Sequence, residues 1–456
     1  MTWKKRIFIS LILIVLVLIA DIIHYCWTSF PILTGYGAKV MCSAVFVSGR
    51  DPKHVLKEEL GNSPLSLGTF DVDYKDSSVT GSIFGFAKRK AIFRDGLGAT
   101  VVTGISEQEI RDQEKTPFFN HMPNQDTIPW PRGNRLGDAL PANVDYEKLR
   151  QVVHRSFSEK DSARPIRTRA VLVIYKGQII DEEYAPGFTK DSRMIGWSMA
   201  KTITGALIGI LVKQGKINVD SPASVPEWKD PEDPRHAITV KDLLQQSSGL
   251  NFNEDYGKSS DATDMLYKKA NMAAYTASLP LKRKPGTFFY YSSGNTNILS
   301  RIIRQTVGDS AYNSFPYTHL FDKLGMYSAV LEPDASGTFV GSSYVYANAR
   351  DWARFGLFLL NNGVVSNEPV LPDDWVKKST TPAPAAKMKN YGYQIWLNAG
   401  RKFPDAPEDM FYADGYEGQY VFVIPSRDLV IVRLGQTHFD NFDVNDFLKD
   451  ILVTIH

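Results

Sequence analysis

From about residue 141 onward, strand-like sequence in this 456-residue chain clusters in two widely separated places, and that separation limits the fold more than any other feature. The first place is a hairpin: Ala170-Val171-Leu172-Val173-Ile174-Tyr175, the turn Lys176-Gly177, then Gln178 to Tyr184. The second is Gln419 to Ile424, the turn Pro425-Ser426-Arg427-Asp428, and Leu429 to Leu434, too rich in β-branched residues to be helix. Between them, from about 197 to 385, the pattern is mostly helix and loop. A helix near Tyr146 to Ser158 precedes the first hairpin. A last helix places Val444, Phe447, Leu448, Ile451, Leu452 and Ile455 at helical spacing. The pattern predicts an α+β fold: an antiparallel sheet flanked by helices, with a mostly helical region inserted between its strands.

The amino terminus is a separate segment. Lys4-Lys5-Arg6 precede an apolar run from Ile7 to Ala20, which Asp21 interrupts before Ile22-Ile23. Read through Trp27, the run reaches the length a membrane span needs, and no small-x-small cleavage site follows. We read residues 1–27 as an uncleaved signal anchor, with a cleaved signal peptide as the alternative. Either form leaves the basic end in the cytoplasm and sends the rest of the chain to the cell envelope, outside the cytoplasm. Residues 28–140 are Gly-rich and mixed, with a strand-like run at Ala99-Thr100-Val101-Val102 and a Pro-punctuated stretch from Thr116 to Pro141. We take them as an extension packed on the main domain, residues 141–456.

Charge narrows the partners. Lys and Arg exceed Asp and Glu by a net +2, and the basic clusters are short and scattered, so no nucleic-acid footprint exists. A small-molecule or peptide substrate fits better. Cys26 and Cys42 make no disulfide framework and lack the neighbours zinc needs, and the eight histidines are scattered, so no metal or other cofactor is expected. Cys26 also lacks the small residue that acylation would need before it. No Gly-x-Ser-x-Gly elbow, His-Glu-x-x-His motif or phosphate loop occurs.

The chain's single Ser-x-x-Lys, Ser198-Met199-Ala200-Lys201, opens an amphipathic helix. Ile203, Ala206, Leu207, Ile210 and Leu211 form its apolar face, and Gly215 stands where a C-terminal cap belongs. Three residues of separation at a helix start put hydroxyl and amine on one side, where the amine can take the hydroxyl proton. Downstream, Lys284-Pro285-Gly286, the aromatic run Thr287 to Tyr291 and the polar loop Ser292-Ser293-Gly294-Asn295 lead into another helix.

With Leu243 to Leu250 and Asn348 to Gly363, these elements resemble the class C β-lactamase-like serine hydrolases, within the penicillin-binding-protein-like superfamily. The resemblance covers roughly residues 145 to 450 and looks nearest to the 6-aminohexanoate-dimer hydrolase and esterase branch. It implies Ser198 as nucleophile, Lys201 and Tyr291 as partners in proton transfer, and Ser293 as an orienting group in place of the family's Asn. Tyr346-Ala347-Asn348 matches Tyr-x-Asn letter for letter, but it precedes a helix rather than following a Pro-Gly turn. Tyr291 is therefore the better candidate.

The family's third element, a Lys- or His-Thr-Gly strand, falls on Asp414-Gly415-Tyr416-Glu417-Gly418-Gln419. By resemblance, Gly418 lets the backbone approach substrate, and the N–H groups of Gln419 and Ser198 form an oxyanion hole. Tyr416 and Glu417 depart from the pattern. Loss of the cation there, with a carboxylate at Glu417, disfavours anionic substrates and favours neutral or amine-bearing esters and amides. The alternatives are a true β-lactamase or D-Ala peptidase, and a non-catalytic envelope binding or sensor module of the same fold.

Overall fold

The computed structural model describes residues 3–113, 124–159, 161, 163–438 and 441–456, so part of the Pro-punctuated stretch lies outside the described residues. Four strands, β1 (Gly68–Asp73), β2 (Ser78–Ile83), β3 (Phe86–Arg94) and β4 (Gly98–Val101), form an antiparallel meander in that order. The main sheet has six strands. The expected first hairpin is β5 (Thr168–Tyr175) and β6 (Gln178–Tyr184), and a small sheet combines β7 (Met194–Ile195), β8 (Val330–Leu331) and β9 (Val345–Ala347). A minor hairpin, β10 (Val364–Val365) and β11 (Glu368–Pro369), follows. The main sheet is completed by β12 (Trp396–Leu397), β13 (Phe411–Gly415), β14 (Gln419–Ile424) and β15 (Leu429–Gly435), in the antiparallel order β12-β13-β14-β15-β5-β6.

The two ends of the domain therefore meet at β15–β5, where Leu429 pairs with Tyr175 and Gly435 with Thr168. Every residue of these two strands is buried, because helices cover both faces. Leu172 and Ile174 face the cluster holding Ile203, Leu207 and Phe355, from the helices Ala200–Lys213 and Ala349–Leu360. Val171, Val173 and Tyr175 face Leu149, Leu448 and Ile451, from the helices Tyr146–Arg155 and Val444–Leu452. The alternation is the period of two that a strand imposes.

The amino-terminal helix runs from Trp3 to Phe46, straight through the expected boundary at residue 27. Its apolar first half is exposed; from Ser29 onward it enters the core, with Ala38, Met41 and Cys42 fully buried. Among the described residues it is the one helix long and apolar enough to cross a membrane. Its second half is locked to the main domain. The Lys39 ammonium pairs with the Glu332 carboxylate, whose other oxygen accepts from Ser43 at 2.8 Å and from the N–H of Ala99 in β4 at 2.7 Å. One buried carboxylate thus ties helix, meander and main domain together, and residues 29–46 share a hydrophobic cluster with Trp197, Phe252 and Tyr344.

Candidate active site

Ser198 sits at a bend between strand and helix. After β7 the chain turns at Gly196, and Trp197 holds φ of +46°, a left-handed conformation that a bulky residue adopts only under surrounding constraint. Two contacts supply that constraint. A side chain at Gly196 would strike the Trp352 ring, and one at Gly415 would come within 2.1 Å of the Gly196 carbonyl, so the serine turn is clamped between a helix and the end of β13. Trp197–Met199 forms a 3₁₀ turn and the helix proper starts at Ala200, so Ser198 just precedes the helix that it was expected to begin.

Lys201 lies in the first turn of that helix, 1% exposed. Its ammonium donates to Ser198 Oγ at 3.0 Å, to Ser293 Oγ at 3.0 Å and to the Ser342 carbonyl at 2.9 Å. Burial pushes the amine down to about 8, with Glu254 and Asp414 pulling the other way. A lysine so tuned is substantially neutral in mildly basic water and can accept a proton.

Tyr291 completes the cluster. Ser198 lies near enough to its hydroxyl to lower its pKa against burial, and the Lys201 ammonium stands 4.8 Å from its ring centroid. The ring stacks on Trp396 and meets Tyr391 edge-on, at 5.2 and 5.9 Å. Burial raises its hydroxyl well above the usual phenol range, so it remains a proton donor where Lys201 is changing charge. Tyr346 lies elsewhere: it is buried in β9 against Val47 and Val330.

The polar loop after Tyr291 is held by Gln246, whose Oε1 accepts from the N–H of Ser292 at 3.1 Å and from Asn295 Nδ2 at 2.9 Å. Ser248 Oγ donates to Asn295 Oδ1 at 2.7 Å. The Leu243–Leu250 stretch thus serves as scaffold for the second element.

Sequence reading missed two residues here. Glu254 accepts from Ser293 Oγ at 2.5 Å and from the Ser293 N–H at 2.8 Å, and the Tyr256 hydroxyl lies 3.0 Å from Ser293 Oγ and 2.8 Å from Glu254 Oε1. Ser293 is therefore the link between Lys201 and a carboxylate. No spacing rule connects residues 254 and 256 to Ser198, so nothing in the linear pattern marks them.

Of the expected third element, Asp414 to Gly418 line one cleft with Ser198, while Gln419 opens the neighbouring strand. The open edge beside Ser198 is β13, since β12 covers only Phe411 and Tyr412, and Asp414 and Gly415 line a cleft of about 690 Å³ with Ser198, Tyr256 and Tyr291. Gln419 opens β14, one strand inward, 1% exposed; its amide donates to the Gly435 carbonyl at 2.7 Å and accepts from the Gly435 N–H at 3.0 Å. Gly418 holds φ of +81° and leaves room for Arg433, which donates to its carbonyl at 2.7 Å. Its small size serves the turn and the arginine.

Tyr416, half exposed, meets Trp197 edge-on at 5.8 Å on the cleft rim. The Glu417 carboxyl lies 3.3 Å from His438 Nδ1, and burial pushes it up to about 7 against the pull of Arg169. The expected loss of the cation is also altered. Lys402, from the loop before β13, lines the same cleft, its ammonium over the rings of Phe403, Trp396 and Tyr412 at 5.2 to 5.9 Å. Asp414 is pushed up to about 6 by burial, with Lys402 and Lys201 opposing. A cation and an anion therefore face one cleft.

Residues 153–452 match the beta-lactamase family. This chain belongs to that family. It is thus a serine hydrolase with the β-lactamase/transpeptidase-like fold expected from its sequence. It is 26% identical over 290 residues to a 6-aminohexanoate-dimer hydrolase of Paenarthrobacter ureafaciens, spanning 59% of this chain and 72% of that one. Among solved structures it resembles a family VIII carboxylesterase, with TM-score 0.54 and 15% identity, covering 70% of this chain and 98% of that one. A penicillin-binding-protein homologue from Caulobacter crescentus gives TM-score 0.53 at 15% identity, over the same 70% of this chain and 98% of its own.

Proposed function

We propose that this family member is a membrane-anchored hydrolase of esters or amides, acting outside the cytoplasm through an acyl-enzyme on Ser198. The observation that carries the reading is the buried Lys201 amine, lowered to about 8 and 3.0 Å from the Ser198 hydroxyl. In the first step the Ser198 oxygen forms a bond to the substrate carbonyl carbon and its proton passes to Lys201. The N–H of Ser198 and an N–H at the open end of β13, next to Gly415, steady the oxyanion. Collapse breaks the bond to the leaving oxygen or nitrogen, which takes a proton from Tyr291, and the proton held on Lys201 restores the tyrosine. Water then attacks the acyl carbon, Lys201 accepting its proton, and the acid is released with Ser198 reprotonated.

Lys402 and Asp414 bear on substrate choice. Their opposite charges suit a linear amide or ester carrying an amine on one side and a carboxylate on the other, and an uncharged ester would also enter. Likeness to the 6-aminohexanoate-dimer hydrolase makes short amino-acid amides the first compounds to assay. The anchor reading rests on the unbroken helix: residues after Trp27 continue it into the buried core. Turnover of p-nitrophenyl esters and of linear amino-acid amides, lost in Ser198→Ala, would support the activity. Rapid cephalosporin hydrolysis would point to a β-lactamase instead.

A further inference from the structure

The β2–β3 hairpin exposes two phenylalanines where a soluble protein gains nothing from them. Ile83 pairs with Phe86 across the two-residue turn Phe84-Gly85, with φ of +51° and +78°. A turn with both central residues left-handed favours Asn-Gly, so Phe84 stands there against local preference. Phe84 is 70% exposed and Phe86 73%; Leu67, next to the Gly68 that pairs with Ile83, is also exposed, as is Lys88.

The direction of this hairpin is fixed by its contacts with the amino-terminal helix. Thr34 Oγ1 donates to the Ala87 carbonyl at 2.7 Å, and Phe46 stacks on Phe93 at 5.6 Å. Twelve helical residues span about 18 Å, and six strand residues about 20 Å, so β3 and the helix run side by side in the same direction. The tip therefore points toward the helix's exposed apolar half. One to three residues beyond Ala87, it lies level with the stretch just after Trp27, where the apolar run ends.

We propose that Phe84 and Phe86, with Leu67 beside them, insert into the interfacial layer of the bilayer that the amino-terminal helix crosses. This rests on the membrane-anchor reading above. The occupant is lipid because the tip continues the apolar surface of the spanning helix at the depth where aromatic side chains favour the interface, and Lys88 follows where anionic headgroups would lie. Two contacts, helix and hairpin, then fix the domain's tilt. Tyr36, stacked on Trp197 beside the nucleophile, lies about 14 Å along the helix from Trp27, so the serine turn is held at a short, set height over the membrane.

Full-length protein in phosphatidylcholine nanodiscs tests this, in a Cys26→Ser background with Cys42 left buried. An environment-sensitive fluorophore is placed in separate variants at Phe84→Cys, Phe86→Cys, Leu16→Cys and Tyr74→Cys, each checked for ester turnover. Lipids doxyl-labelled near the headgroup should quench the labels at 84 and 86 at least twofold more than the label at Tyr74, which is exposed beside Phe46 at the far end of the meander. Lipids doxyl-labelled deep in the chains should quench the label at 16. Quenching at 16 with 84 and 86 no more affected than 74 would overturn the hairpin contact and leave the anchor standing. No quenching at 16 would overturn the anchor, and the hairpin contact with it.

Discussion

The indole of Trp197 lies parallel to the phenol ring of Tyr36, centroids 6.2 Å apart, so the residue before Ser198 rests directly on the amino-terminal helix. Beside the contacts at Gly196, that stack supports the left-handed Trp197 and couples the Ser198 turn to the buried half of the amino-terminal helix. Tyr36→Leu should cost about 1 kcal/mol for the lost aromatic pair and lower Tm by about 2 °C. The same variant should reduce kcat/KM up to about tenfold, because the turn carrying Ser198 loses its support. Thermal unfolding and steady-state ester hydrolysis check both.

The pH profile follows from Lys201. In the proposed mechanism acylation needs the neutral amine, and burial sets its midpoint at about 8. Activity should therefore fall as pH drops below about 8, tenfold per unit well below it, and level off above. Lys201→Arg should be inactive throughout, since a guanidinium does not give up its proton in this range.

Glu254 sets the position of that limb. Its charge favours protonated Lys201, so Glu254→Gln should move the midpoint to lower pH. Ser293→Ala removes a hydrogen bond to the amine and should slow turnover about 10- to 100-fold, as expected for a bond to a charged group. A pH–rate series across both variants separates the two effects.

The Lys39–Glu332 pair ties the extension to the main domain, and both side chains are buried. Glu332→Ala leaves an unpaired ammonium in the core and should destabilise the protein by about 3–5 kcal/mol. Chemical denaturation in detergent measures the loss.

The parts legible in the sequence were those whose partners lie close along the chain. Both hairpins of the main sheet, the serine helix with its Gly215 terminus and the Ser198–Lys201 pair depend on local spacing, and the chain folds them where that spacing put them. The Tyr291 turn was found by context, against the letter-perfect match at Tyr346. Tyr256 and Lys402 reach the cleft, and Glu254 reaches Ser293, only through tertiary packing, so no periodicity announces them. The three residues between Gly415 and Gln419 form a tight turn that sets Gln419 on β14, one strand inward from the cleft edge, a register that linear sequence does not disclose. In the extension only the last strand was anticipated. The polar, Gly-containing strands before it fold against the buried half of the amino-terminal helix, a partner that their own pattern does not reveal.

The most direct measurement is the intact mass of the protein after rapid mixing with a slowly hydrolysed ester or amide. The account predicts a gain equal to the substrate's acyl group, located by peptide mapping on Ser198, absent in Ser198→Ala and accumulating faster at pH 8.5 than at pH 6.5. Turnover at the wild-type rate in Ser198→Ala, with no acyl adduct on either protein, would contradict it.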